Sequence, residues 1–271
     1  MRYKLVMLDV DGTLLSTAPH ASQCVRSAIR RAQDQGVTVG LCTGRIAKTC
    51  QTLVEALALD SYSVYYSGTL LKNLITGRVL KKHALPHPIV QEIVQFARAQ
   101  AIYLELHTEE AYLYELRNSY SDFQHTILEL EPIYADLSHV DPSYEILKLQ
   151  FVTESPTHLD RIAAFTRQNC QHIALSAGKA PGHPTMDFIN VIPVGISKGQ
   201  GIREIAADMG IGLEQVIAIG DSLGDIDALE VAGLGVAMGN AEEAVKERAD
   251  YVAASVWEAG VAEVLERFVL A

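Results

Sequence analysis

What most constrains this chain is a pattern written at both of its ends and missing from its middle. Over about the first seventy residues, continuous apolar runs alternate with stretches whose apolar residues recur at helical spacing. "YKLVMLDV", "VTVGLC" and "SVYYS" read as strands. Between them, Val25, Ala28, Ile29 and Ala32 mark one helical face closed by Gly36, and Ile46, Cys50, Leu53, Val54 and Leu57 mark another. The pattern returns near the C-terminus in "VIAIGD", "DIDALEVA", "GLGVAM", "AEEAVKERA", "YVA" and a last helix through Val261, Val264, Leu265 and Phe268. Strands apolar on both faces, separated by amphipathic helices, predict a parallel sheet covered by helices on both sides, an α/β fold. Roughly residues 78–190 read differently. Alternating strands ("IYLELH", "AYLYEL", "LKLQFVT", "MDFINVI") mix with helices around 89–101 and 158–169, an α+β unit inserted into the α/β core. "RNSYSDFQHT" and the Pro132–Pro142 region are expected to be loops or short helices, and residues 178–188 a Gly/Pro-rich loop leading into the last strand. The expected domains are therefore 1–77 with 191–271, and 78–190.

Ligands of an open parallel sheet bind outside the carboxyl ends of its strands. The first strand ends in Asp9 and Asp11, the second in Thr43-Gly44-Arg45, the third in Ser67-Gly68-Thr69, and the late strand in Asp221 with Asp225 one helical turn on. Lys198 opens a helix in "GISKG". Three or four carboxylates gathered at one edge cannot all ionise without a cation between them. Oxygen-only ligands suit Mg²⁺. A lysine, a threonine hydroxyl and backbone N–H groups at Gly12, Gly44 and the helix starts can hold phosphoryl oxygens. This is equipment for phosphoryl transfer, in which a carboxylate can serve as nucleophile.

On these motifs the chain resembles the haloacid dehalogenase-like hydrolases. "DVDGTL" is similar to that family's DxDGT motif, Thr43 to its second motif, Lys198 to its third, and "GDSLGD" to its acidic fourth. "GISKG", "VAMGNAEEAVKERADYV" and "GVAEVLERF" resemble the Cof-type, class IIB branch. The resemblance implies a Rossmann-like core with the larger (C2) type of inserted cap, which closes over the site. It implies Asp9 as nucleophile, Asp11 as general acid and base, Thr43 and Lys198 as phosphoryl and charge partners, and Mg²⁺ held by Asp9, the Asp11 backbone carbonyl, Asp221 and Asp225. Gly12, Gly44, Arg45, Ser67 and Gly68 are candidate substrate contacts. Three positions depart from the branch's usual pattern: Gly224 where asparagine is common, "SGT" where "NGA" is, and Ala259 in "AGV" where the branch has an acidic residue.

Plainer readings stand beside these. An EF-hand loop is spoiled by Gly12 at the fourth position. Asp227 reads as a favourable charge at a helix N-terminus, and Cys42 as a small core residue. Arg45 either contacts substrate or is merely solvated. His107, His125, His139 and His183 lack metal spacing, and Tyr112 and Tyr114 share one strand face. Four cysteines without CxxC spacing read as free buried thiols. A net charge of -11 with no basic run argues against nucleic acid. No apolar stretch is long enough to span a bilayer, and the N-terminus lacks signal-peptide character, so a cytoplasmic monomer or homodimer is expected. The expected activity is Mg²⁺-dependent hydrolysis of small phosphorylated metabolites, sugar phosphates first, through an aspartyl phosphate. The alternatives are a phosphomutase related to phosphomannomutase and a non-catalytic phosphometabolite-binding regulator.

Overall fold

The computed structural model describes residues 2–16, 20–128, 130–180 and 183–271. The chain forms two compact units, Met1–Lys82 with Ser197–Ala271, and His83–Ile196. The first unit opens with β1 (Leu5–Leu8), α1 (Gln23–Asp34), β2 (Thr38–Leu41), α2 (Gln51–Ala56), β3 (Ser63–Tyr65), β4 (Leu70–Lys72) and β5 (Val79–Lys82). The second contains α3 (His87–Gln100), β6 (Tyr103–His107), β7 (Ala111–Tyr114), α4 (Ser119–Ile127), β8 (Glu131–Tyr134), β9 (Lys148–Thr153), α5 (Pro156–Gln168), β10 (Ile173–Ala180) and β11 (His183–Pro193). The chain then returns to the first unit through α6 (Lys198–Asp208), β12 (Val216–Gly220), α7 (Ile226–Val231), β13 (Leu234–Ala237), α8 (Glu243–Lys246), β14 (Tyr251–Val252) and α9 (Gly260–Phe268).

In the first unit, five parallel strands lie in the order β14-β13-β12-β1-β2. All four residues of β1 are buried, as a central strand covered on both faces requires. Leu5 and Met7 join a core with Val216 and Ala218 of β12 and Ile202, Ile205 and Ala206 of α6. Register aligns the carboxyl ends of the central strands, for Leu8 lies opposite both Leu41 of β2 and Ile219 of β12. The next residues, Asp9, Cys42 and Gly220, therefore stand at one level. Upstream, α1 buries the predicted face of Val25, Ala28, Ile29 and Ala32, with the Ser22 hydroxyl accepting from the Val25 N–H at its start.

Several sequence expectations change here. β3 is not a full strand of the parallel sheet. It touches β2 through a single parallel bridge, Cys42 to Val64, and pairs antiparallel with β4, which pairs with β5. The Leu41 N–H donates to the Ser63 hydroxyl instead of a carbonyl, which ends regular pairing at that point. Since β5 belongs with β4, the second unit begins at His83 rather than at 78, and it ends at Ile196 rather than 190. Cys24 and Cys170 are exposed; only Cys42 and Cys50 are buried thiols.

Among the described residues, the second unit holds one six-stranded sheet, β10-β11-β9-β6-β7-β8, antiparallel except between β7 and β8. Its apolar face, with Leu104, Leu106, Leu113, Leu149, Phe151, Ile189 and Val191, packs on Val90, Ile93, Val94 and Ala97 of α3 and Ile162 of α5. Phe96 stacks on Phe165 (centroids 4.3 Å apart) and meets Phe151 edge-on. Part of the region read as a loop or short helix is β8, whose Pro132 and Glu131 sit on a sheet edge where a missing N–H costs little. Most of the predicted 178–188 loop is likewise strand. Residues 173–180 and 183–193 pair as a hairpin, and the predicted loop's Pro181 and Gly182 lie outside the described residues.

Candidate active site

Asp9 follows β1 and is 5 % exposed. Its N–H continues the ladder to the Ile219 carbonyl (2.9 Å), which fixes the carboxylate at the sheet edge. Lys198 is the first residue of α6, after Ser197 caps the helix by accepting the Gln200 N–H. The Lys198 Nζ donates to Asp9 Oδ1 (2.7 Å) and to Asp225 Oδ1 (2.5 Å), and all three side chains are buried. Asp225 is held in turn. Its Oδ2 accepts from the N–H groups of Asp221 (3.2 Å) and Ser222 (3.0 Å) and from the Ser222 hydroxyl (2.7 Å). Asp221 Oδ1 accepts from the Thr13 hydroxyl at 3.0 Å.

Oxygen atoms of Asp9, Asp221 and Asp225 all lie within 4.8 Å of one another. Burial, with Asp225 close by, pushes the Asp9 carboxyl up to about 7 against the pull of Lys198. Burial and Asp225 also push Asp221 up to about 6, against its bond from Thr13. Burial alone would drive the Lys198 ammonium down, but Asp9 and Asp225 hold it well above its ordinary value. Three carboxylates against one ammonium leave the cluster short of positive charge. A hard divalent cation fits both that deficit and the all-oxygen donor set.

The Asp11 carboxylate does not join this group. It is exposed and forms a two-point pair with Arg45, accepting from Nε at 2.8 Å and Nη2 at 2.6 Å. The hydrogen bond to Asp11 holds the Arg45 guanidinium above its usual range. Arg45 is one third exposed and has Asp11 as its partner. The metal contact that the family resemblance implies for Asp11 is through its backbone carbonyl, which the side chain's pair with Arg45 does not use.

Thr43 is 1 % exposed, and its Oγ1 accepts from the Arg45 N–H (3.1 Å). That leaves the hydroxyl proton available for another acceptor. The Ser67 N–H donates to the Thr43 carbonyl (3.1 Å), which joins the loops after β2 and β3. Tyr66 and Ser67 both have positive φ (50° and 57°), and Gly68 follows at 115°. A side chain on Gly68 would lie 2.3 Å from the Ser197 carbonyl oxygen, so only glycine lets this turn approach the start of α6. Gly12 is under the same constraint. At φ +83°, a Cβ there would fall 2.0 Å from Asp221 Oδ2. Gly44 is exposed, and a Cβ there would stand 3.2 Å from the Ser67 hydroxyl.

Sequence reasoning missed Asn240. Its amide donates to the Gly12 carbonyl (2.9 Å), its nitrogen stands 3.5 Å from Asp221 Oδ2, and its Oδ1 accepts the Val256 N–H (2.8 Å). The signal was present in "VAMGNAEE", which carries part of the family resemblance but assigns its asparagine no role. Asp227 does more than sit at a helix start, since its carboxylate accepts the Gly199 N–H of α6 (2.9 Å). Cys42 is core, as expected, and burial holds its thiol well above the usual range.

A parallel α/β core with an acidic, lysine-bridged centre at its carboxyl edge, interrupted by an α+β insert, defines a class: hydrolases of phosphoric monoesters. Residues 6–265 match the sequence family described as haloacid dehalogenase-like hydrolase, and the chain belongs to it. It is similar to the 5-amino-6-(5-phospho-D-ribitylamino)uracil phosphatase of Bacillus subtilis, 31 % identical over 268 residues that cover 98 % of this chain and 96 % of that one. It is also similar to the pyridoxal phosphate phosphatase of Escherichia coli, 26 % identical with 93 % of each chain covered. Among solved structures, a haloacid dehalogenase-like hydrolase from Bacteroides thetaiotaomicron superposes with TM-score 0.84 at 26 % identity, covering 98 % and 99 % of the two chains.

Proposed function

We propose that this protein is a Mg²⁺-dependent phosphatase of small phosphorylated metabolites, with sugar phosphates foremost, working through an aspartyl phosphate. The observation that carries this reading is the approach of Asp9, Asp221 and Asp225 within 4.8 Å, with Lys198 bridging Asp9 and Asp225. Those three carboxylates, with the Asp11 carbonyl, would hold the cation, which when bound neutralises charge on the phosphoryl oxygens.

The chain's own residues supply the rest. One Asp9 carboxylate oxygen attacks phosphorus, and the ester P–O bond breaks as the leaving alcohol takes a proton from Asp11. Water then attacks the aspartyl phosphate, giving its proton to Asp11 and releasing phosphate and a free Asp9. Lys198 keeps Asp9 oriented and its charge offset. The unused Thr43 proton is placed to donate to a phosphoryl oxygen. Asp11 can serve the leaving group only after Arg45 releases it, so Arg45 sets how easily the acid reaches the substrate. The two curated relatives act on phosphomonoesters whose alcohols differ widely, which supports the reaction class without naming a substrate.

The test is hydrolysis of a panel of phosphorylated metabolites with Mg²⁺ and with EDTA. Activity confined to the Mg²⁺ arm is expected, and full activity after exhaustive chelation would sink the proposal.

A further inference from the structure

The ammonium of a lysine sits at the end of a flexible four-carbon stem, so where it arrives depends on where the backbone beneath it is held. Lys198 is the first residue of α6, and helix ends are where fraying is easiest. Part of that end is secured from within. The Ser197 hydroxyl accepts the Gln200 N–H (3.1 Å), and the Gly201 N–H closes the first turn on the Ser197 carbonyl (3.1 Å). The Gly199 N–H, one residue past Lys198, is among the first donors of a helix and finds no acceptor inside it. It donates instead to Asp227 Oδ2 at 2.9 Å.

Asp227 lies in the first turn of α7, and Asp225 stands immediately before that helix. One short stretch of chain therefore grips Lys198 twice. Asp225 takes its ammonium (2.5 Å), and Asp227 takes the amide beside its root. The holder is itself fixed, because Asp225 Oδ2 accepts from the N–H groups of Asp221 and Ser222. Gly199 is what allows α6 to come so near. A Cβ there would fall 2.5 Å from the Asp227 carbonyl oxygen and 2.9 Å from Asp227 Oδ2. Glycine is a poor helix former, and its place in the first turn of α6 follows from this approach. Cys42 adds a weaker contact, its thiol 3.8 Å from the Lys198 carbonyl oxygen. The bond to Asp227 is the stronger of the two, since it is charge-assisted and lies at the positive end of α6.

We propose that Asp227 is a positioning residue for phosphoryl transfer: through the Gly199 N–H it fixes the start of α6, and with it the reach of Lys198 Nζ to Asp9. The two carboxylates of "GDID" then have separate tasks. Asp225 pairs with the ammonium, and Asp227 holds the helix that carries it. Asp227 acts through the backbone of α6 and not on the reacting atoms. The inference rests on the phosphatase reading, in which Lys198 orients Asp9 and offsets its charge. A displacement of about 1 Å in such a group can cost on the order of 10²-fold in rate, so one hydrogen bond at the root of Lys198 is enough to matter.

The experiment compares Asp227→Leu, Asp227→Asn and Gly199→Ala with the native full-length chain. Asp227→Leu removes the acceptor. Asp227→Asn keeps an oxygen for the Gly199 N–H but gives up the charge. Gly199→Ala pushes α6 away from an intact Asp227. Two readouts are taken: kcat and KM on p-nitrophenyl phosphate with Mg²⁺, and trace acetylation of Lys198 by acetic anhydride, followed by mass spectrometry. Asp227→Leu and Gly199→Ala should each lower kcat by roughly 10- to 100-fold at native KM, and Asp227→Asn should recover most of the native kcat. Lys198, buried in the native chain, should acetylate faster in the two damaging variants, while Lys148, buried in the second unit, keeps its native rate. A merely structural role predicts a lowered Tm with native kcat per folded molecule and unchanged labelling of Lys198, and that result overturns the proposal. So does an Asp227→Asn chain that loses as much kcat as Asp227→Leu. If Asp227→Leu does not fold, Gly199→Ala decides by the same two readouts. A native chain that hydrolyses no phosphomonoester defeats the phosphatase reading, whereas the labelling needs no substrate and still decides whether Asp227 holds Lys198 in place.

Discussion

At the scale of single residues, the acidic centre makes distinct demands on each of its members. Asp9→Asn removes the proposed nucleophile while keeping a side chain that can still meet Lys198, so turnover should fall to background with a native circular dichroism spectrum. Asp11→Asn should slow turnover by roughly 10²–10⁴-fold and, with p-nitrophenyl phosphate as substrate, leave a phosphorylated chain visible by intact-protein mass spectrometry. No trapped phosphoenzyme would argue against a covalent route. Lys198→Met leaves Asp9 and Asp225 buried without their shared cation, and urea unfolding should show a loss of about 3–5 kcal/mol. The residue types at the strand ends were legible in the sequence because chemistry restricts them: few roles need two carboxylates after a buried strand. Arg45 was not legible. Its partner depends on where Asp11 turns after a tight bend, and no periodicity reports that.

At the scale of elements, the loops around the site are tied to one another as well as to the strands they follow. Asn240 joins the end of β13 to the Gly12 carbonyl and to the Val256 N–H. Asn240→Leu leaves both without a partner, and a loss of about 1–3 kcal/mol is expected in urea melts, with weaker Mg²⁺ stabilisation in thermal shift because Asp221 loses a neighbour. The parallel strands and their helices were readable because each is continuous or periodic in its apolar residues. "MDFINVI" of β11 was readable too; β8 and the end of β10 were not, because Pro132 and Gly178 carry turn chemistry that sheet pairing overrides. In the second unit, burial raises Glu105 to about 8. Its folded pKa lies above its unfolded one, so the folded state holds the extra proton and stability falls as pH rises from about 4.5 to 8. Burial lowers His107 well below its ordinary value, so its opposing contribution ends near pH 6.5. Between 6.5 and 8 the slope should be on the order of 1 kcal/mol per pH unit, and Glu105→Gln should flatten it. An unchanged slope in that variant would assign the effect elsewhere.

At the scale of the whole molecule, the site draws its members from both ends of the sequence, and Mg²⁺ should couple them. Saturating Mg²⁺ should raise Tm by linkage, and Asp221→Asn should abolish most of that rise in a calorimetric scan. The same arrangement bears on how the chain is made. β1 is central in its sheet, with β2 on one side and β12, begun only at Val216, on the other. A ribosome that has emitted β1 must go on to Val216 and beyond before that second edge is filled. The second unit is contiguous and needs no such wait. Vectorial synthesis therefore favours an order in which the insert folds first and the catalytic sheet closes last, with an open strand edge exposed in between. A nascent chain stalled after residue 210 should accordingly show protease protection over 83–196 and none over 5–72. Cells making this protein would need their chaperones most while the residues between the insert and β12 are being added.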